Sequence, residues 1–141
     1  MPAEFKLMRK VEFSETDMAG IVHFANFFRY AEAAEHEFFR SLGFSIVTDL
    51  DGEHYGWPRV HASCDYVSPL RFEDEFEIHL TVTETKPKSL SYSFVITRIQ
   101  PAPRVEVAHG SMKTVCVQRD EATQKMRAVE IPRQIVDRIK Q

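Results

Sequence analysis

Asp17 stands in Ser14-Glu15-Thr16-Asp17-Met18-Ala19-Gly20, a polar stretch that ends in glycine and leads into the aromatic run Asn26-Phe27-Phe28. A carboxylate on a loop just ahead of a helix can reach that helix's unpaired backbone N–H groups and positive dipole end. Such a carboxylate, attacking directly or deprotonating water, beside donors aimed at a developing oxyanion, is the equipment for hydrolysing an activated carbonyl. Asp17 is the candidate base or nucleophile. The helix start around His23 to Ala25 supplies the candidate oxyanion donors, and His23 could itself position substrate. Phe24, Phe27, Phe28 and Trp57 could line a pocket for an acyl or aryl group, although the same rings would serve equally as core. Cys64 shares its parity with Val60, Ala62 and Tyr66, so core packing is expected of it rather than nucleophilic attack. The histidines form no H-E-x-x-H or Cys/His cluster, and neither a P-loop nor a G-x-G-x-x-G is present. Neither a metal site nor a nucleotide cofactor is expected.

The elements that must hold these residues follow from hydrophobic periodicity. Phe5, Leu7, Arg9, Val11 and Phe13 share one parity and predict a strand over Phe5 to Phe13. Phe27, Ala31, Ala34, Phe38 and Leu42 fall on one narrow stripe at helical spacing. Arg29, Glu32, His36 and Arg40 lie on the other side of that helix, Asn26 can cap it, and Gly43 can close it in a left-handed conformation. Residues 45–58 are irregular. Alternation returns over Val60–Tyr66, Phe76–Val82 and Leu90–Ile96, and a Val- and Thr-rich run follows over Arg104–Arg119. Pro132 opens a short C-terminal helix carrying Ile135, Val136 and Ile139. Strand, long helix and then successive strands on short links predict an antiparallel sheet wrapped around one helix.

At 141 residues, 43% apolar and 28% charged, the chain suits a single domain over residues 1–141 with a sizeable core. A net charge of −3 leaves no basic excess for nucleic acid. No stretch reaches the roughly 18 apolar residues of a membrane span. The first ten residues lack a signal peptide's apolar segment, so reduced cysteines and a cytoplasmic setting are expected.

The stretch Phe13-Ser14-Glu15-Thr16-Asp17-Met18-Ala19-Gly20-Ile21-Val22-His23-Phe24-Ala25-Asn26-Phe27 resembles the signature of the 4-hydroxybenzoyl-CoA thioesterase family. Tyr66-Val67-Ser68-Pro69-Leu70-Arg71-Phe72-Glu73-Asp74 resembles that family's turn between its second and third strands. The resemblance implies an α+β hotdog fold, a five-stranded antiparallel sheet around a long central helix. It also implies dimers or dimer-built tetramers with active sites at subunit interfaces. The activity implied is hydrolysis of an acyl- or aryl-CoA thioester to the free acid and CoA, with an acyl-carrier protein as the alternative donor. Asp17 then falls at the catalytic aspartate, and a backbone N–H near Phe24 is the polarising donor. Glu32 matches a frequently acidic helix position, and His61 and Ser63 lie on a strand that lines the interface and could meet substrate. Lys86 and Lys88, flanking Pro87, could meet CoA phosphates as point charges. The chain departs from the pattern at Glu15, usually Asp; at Phe24, where many relatives carry His and this chain has His23 one position earlier; and at Glu73, usually Gly. A hotdog dehydratase acting on hydroxyacyl thioesters and a non-catalytic acyl-binding module are the alternative functions.

Overall fold

The computed structural model describes residues 3–141. Its main sheet has the order β1-β5-β6-β7-β4, every neighbouring pair antiparallel. The strands are β1 (Glu4–Lys10), β4 (Arg59–Tyr66), β5 (Glu75–Thr85), β6 (Ser89–Gln100) and β7 (Val105–Val115). The long helix α1 (Asn26–Ser41) packs on the concave side, chiefly against β5 and β1. This is the hotdog arrangement that the motifs imply. Two small hairpins lie outside the sheet: β2 (Thr48–Leu50) with β3 (Glu53–Tyr55), and β8 (Val117–Arg119) with β9 (Met126–Ala128). The short helix α2 (Arg133–Lys140) buries Ile135 and Ile139, and Arg138 donates to the Leu42 carbonyl just past the end of α1.

The period-two pattern holds where strands are flanked on both sides. Phe76, Ile78, Leu80 and Val82 of β5 and Leu90, Tyr92, Phe94 and Ile96 of β6 all point inward and are buried. On α1 the predicted stripe is buried at Phe27, Ala31, Ala34 and Phe38, and it widens to take in Tyr30, Glu35 and Phe39. Each large apolar side chain so buried contributes about 1.5–3 kcal/mol. Gly43 ends the helix at φ +92°, as expected.

Several expectations need correction. Strand β1 stops at Lys10, because a turn over Phe13–Glu15 closes with the Glu15 carboxylate accepting the Glu12 N–H at 2.8 Å; Phe13 is left in solvent. Ala25, not Asn26, is the residue before α1. Asn26 lies inside the first turn, and its amide donates to the Glu15 carbonyl at 2.8 Å. Strand β4 does not pair with its sequence neighbour β5. The connection over residues 67–74 carries the chain across one end of the sheet, past the start of α1, so β4 sits on the far edge beside β7. As an edge strand it leaves Val60 58% and Tyr66 47% exposed, while Cys64 is only partly buried against the core. The run Arg104–Arg119 breaks at Cys116, where the chain leaves the sheet and Val117 bridges to Gly56. Residues 45–58, read as irregular, contain the β2–β3 hairpin.

Candidate active site

The C-terminal end of β1, the residues 67–74 connection and the start of α1 meet at one end of the sheet, and hydrogen bonds tie the three together. Val22 N–H donates to the Leu70 carbonyl at 2.8 Å, and Thr16 and Val22 form an antiparallel bridge. Between them, Asp17 N–H donates to Ile21 and Gly20 N–H to Asp17, with Gly20 at φ +79°, a conformation that glycine adopts without a Cβ penalty. Glu15 joins this loop to the helix. Its carbonyl accepts His23 N–H and the Asn26 amide, and its carboxylate accepts Glu12 N–H and the Tyr30 hydroxyl at 3.0 Å. Burial, followed by the nearby Glu15 charge, pushes the Tyr30 phenol well above its usual range, so Tyr30 stays a donor.

The tight loop aims Asp17 into a cleft of about 540 Å³, which Phe24, Phe27, Tyr66, Ile21 and Arg71 also line. Asp17 Oδ1 accepts Ala19 N–H at 2.9 Å, which fixes the carboxylate; Oδ2 has no donor among the described residues. Phe24 N–H likewise has no acceptor among the described residues, whereas the next N–H, of Ala25, is capped by His23 Nδ1 at 3.1 Å. That bond needs Nδ1 as acceptor, so a neutral His23 carries its proton on Nε2. The Phe24 ring stacks on His23, and Tyr66 meets Phe24 and Phe27 edge-on while its hydroxyl donates to the Phe24 carbonyl. A second cleft of about 570 Å³ lies against Asp17, lined by Met18 and by the edge-packed rings of Phe13 and Phe72.

Asp17, Phe24 and Phe27 therefore come together within one chain, and His23 adjoins them through its cap. The other candidates lie elsewhere. Trp57 donates to Thr48 and packs on Phe39, twelve positions beyond Phe27 and about 18 Å along the axis of α1. Phe28 packs partly buried on the core. His61 and Ser63 are exposed on β4, with the Ser63 hydroxyl bonded to that of Ser111 at 2.9 Å. Lys86 and Lys88 flank the β5–β6 turn, a full length of β5 from the cleft, about 35 Å. Lys86 pairs with Glu84 there. Glu32 pairs with Arg59 at 3.6 Å on the solvent side of α1. Burial pushes the Cys64 thiol up, the opposite of what an attacking thiolate needs. Two residues to which the sequence assigned no role matter here. Arg71 lines the cleft, and Glu15, noted only as a departure from the family pattern, holds the loop.

No helix among the described residues is long and apolar enough to cross a membrane. Residues 11–139 match the family model described as the thioesterase-like superfamily. An acyl-CoA thioester hydrolase of Escherichia coli is 28% identical over 137 residues, covering 97% of this chain and 96% of its own length. A crystal structure of a hypothetical protein from Aquifex aeolicus is 32% identical at a TM-score of 0.82, covering 96% of this chain and 98% of that one. A 1,4-dihydroxy-2-naphthoyl-CoA thioesterase structure from Synechocystis superposes at 0.84 with 24% identity, covering 97% and 96%. With the family model matching residues 11–139, the protein belongs to the thioesterase-like superfamily and is a hotdog-fold thioester hydrolase.

Proposed function

We propose that the chain hydrolyses an acyl- or aryl-CoA thioester at the Asp17 cleft, releasing the free acid and CoA. The observation that carries this reading is the pairing, in one apolar cleft at the start of α1, of an Asp17 oxygen and a Phe24 N–H that have no partner among the described residues. A thioester carbonyl set against Phe24 N–H would have its oxygen polarised as it turns negative, with the positive end of α1 behind it. Asp17 Oδ2 then attacks the carbonyl carbon or takes a proton from the attacking water. Collapse of the tetrahedral adduct breaks the C–S bond, and the departing thiolate takes up a proton; on the direct-attack route a water then hydrolyses the acyl–Asp17 anhydride, releasing the acid and restoring the carboxylate. The rings of Phe24, Phe27 and Tyr66 would hold the acyl or aryl group.

The working unit on this reading is at least a dimer paired through β4. An eight-residue edge strand with unpaired backbone groups, an exposed Val60 and an exposed Tyr66 invites another strand. Two-fold antiparallel pairing lays the Arg59 end of one β4 beside the Tyr66 end of the other. That brings the end of the second copy bearing Trp57, His61, Lys86 and Lys88 toward this chain's Asp17. Candidates far from the cleft within one chain would approach it across such an interface.

Free-thiol release measured across acyl-, aryl- and carrier-protein thioesters, with wild type beside Asp17→Asn, tests the reading. Turnover that Asp17→Asn loses by at least a thousandfold, at unchanged melting temperature, supports it. Near-normal turnover by the variant removes Asp17 from the chemistry. An enoyl product in place of free thiol would make the protein a dehydratase, and saturable binding without turnover would make it a binding module.

A further inference from the structure

The cleft that holds Asp17 is apolar except for a few groups, and among the residues described as lining it Arg71 is the sole cation. Its backbone is clamped by a tight turn: Arg71 N–H donates to Asp74 Oδ2 at 2.9 Å, and Asp74 N–H donates back to the Arg71 carbonyl at 3.0 Å. The Asp74 carboxylate is thus spent on the main chain, and Glu73, nearer in sequence, makes no ion pair with Arg71 among the described residues. Among the described residues no acceptor or carboxylate engages the Arg71 guanidinium, whereas that of Arg59 meets Glu32, Glu35 and Met112. The preceding residue, Leu70, accepts Val22 N–H, so the turn that carries Arg71 is fastened to the loop that carries Asp17. A planar, permanently charged fork of donors on a rigid turn is suited to paired oxygen acceptors.

We propose that Arg71 forms an anion-reading subsite of this cleft, selecting substrates whose acyl group carries its own carboxylate. This rests on the thioester-hydrolase reading of the Asp17 site. An oxygen anion could come from the acyl group or from the phosphates of CoA. The place of Arg71 favours the first: it lines the same cleft as Asp17, Phe24 and Phe27, whereas the diphosphate stands about 15 Å from the thioester along an extended pantetheine arm. Within the same chain Lys86 and Lys88 lie a full strand away, and on the proposed pairing those of the second copy would serve the CoA phosphates, leaving the acyl group to Arg71. Asp17 in the same space disfavours any anion, so an acidic acyl group is accepted only with the guanidinium in place.

The test compares wild type, Arg71→Gln and Arg71→Lys on benzoyl beside 4-carboxybenzoyl and hexanoyl beside adipoyl, each as the CoA and as the N-acetylcysteamine thioester. Arg71→Gln is expected to lose roughly ten- to a hundredfold in kcat/KM on the carboxylate-bearing member of each pair, through KM, with both thiols. The preference for the acidic over the neutral member of each pair should fall by that factor whatever the variant does to neutral turnover, and Arg71→Lys should recover part of the loss. A loss confined to CoA thioesters, equal for neutral and acidic acyl groups, would keep the subsite but assign its anion to phosphate, overturning the acyl assignment. Equal behaviour of wild type and Arg71→Gln throughout overturns the subsite, while turnover of the neutral esters still upholds the hydrolase. If wild type turns over none of them, the hydrolase reading fails on its own. Calorimetric binding of terephthalate to wild type and Arg71→Gln then decides the subsite, and equal or absent binding ends it.

Discussion

Arg59, at the start of the edge strand, reaches across to α1 and places Nη2 3.0 Å from Glu35 Oε1, on a carboxylate whose side chain is 2% exposed. Glu35 sits on the inward stripe of α1, among phenylalanines, and burial raises its carboxyl above the usual range despite the guanidinium. The pair is incompletely satisfied. Among the described residues Glu35 Oε2, Tyr92 Oη and Thr114 Oγ1 are buried with no hydrogen-bond partner. Removing one member leaves a buried charge alone, whereas removing both relieves the desolvation. Arg59→Leu is therefore expected to cost about 3–5 kcal/mol, and Arg59→Leu with Glu35→Met to recover most of that loss. Urea unfolding of the two variants checks this, and equal costs would show that the ion pair is not the cause.

The same carboxyl makes a prediction about pH. Its folded pKa lies above the unfolded value, so the stability linked to its protonation is fully present below the unfolded pKa and is lost as pH rises through the folded one. Glu35→Gln cannot lose a proton. Its melting temperature relative to wild type is expected to climb from pH 4 upward, and parallel curves between pH 4 and pH 8 would contradict this.

Glu15 ties the loop that carries Asp17 to α1, and on the proposed reading it acts by positioning Asp17. Glu15→Gln keeps a carbonyl oxygen for Glu12 N–H and the Tyr30 hydroxyl, while Glu15→Ala keeps neither. The alanine variant should lose about 1–3 kcal/mol of stability and at least tenfold in kcat with KM little changed, and the glutamine variant should recover much of both. Tyr30→Phe separates the two bonds, and an unchanged kcat in Glu15→Ala would mean that the loop holds its shape without them.

Gly110 lies opposite Cys64, where β7 carries the edge strand. A Cβ there would stand 2.1 Å from the Ser63 carbonyl oxygen and 2.5 Å from the Phe94 ring. Backbone cannot yield as a flexible side chain can, so Gly110→Ala is expected to displace β4 and cost more than about 2 kcal/mol. Because β4 is the proposed pairing edge, the variant should also shift toward monomer by sedimentation. A stable, fully associated Gly110→Ala would refute that placement of the edge.

Charge on the edge face tests pairing directly. Val60→Lys, at an exposed position, should leave the melting temperature of the monomer unchanged while weakening association and turnover together. Loss of association with full activity would show that each chain carries a complete site.

Local pattern was sufficient for much of this molecule. Alternation in β5 and β6 and the α1 stripe were legible because each element is covered on a known face, so hydrophobic period maps directly onto burial. The Ser14–Gly20 loop and the start of α1 were legible because turn chemistry is local, and with them came the neighbourhood of Asp17. The rest depended on contacts distant in sequence. β4 alternates like a core strand, yet it is an edge, because the connection over residues 67–74 crosses the sheet end instead of turning back. Glu35 counts as polar on any helical wheel, yet it lies inside, because Arg59 arrives from another strand to meet it. Arg71 reads as one more loop cation until the turn with Asp74 and the Leu70–Val22 hydrogen bond set it in the same cleft as Asp17. Sequence determined which segments fold and which carboxylate stands at the helix start; only the tertiary structure decided which charges meet, because pairing across the sheet is a matter of topology and not of period.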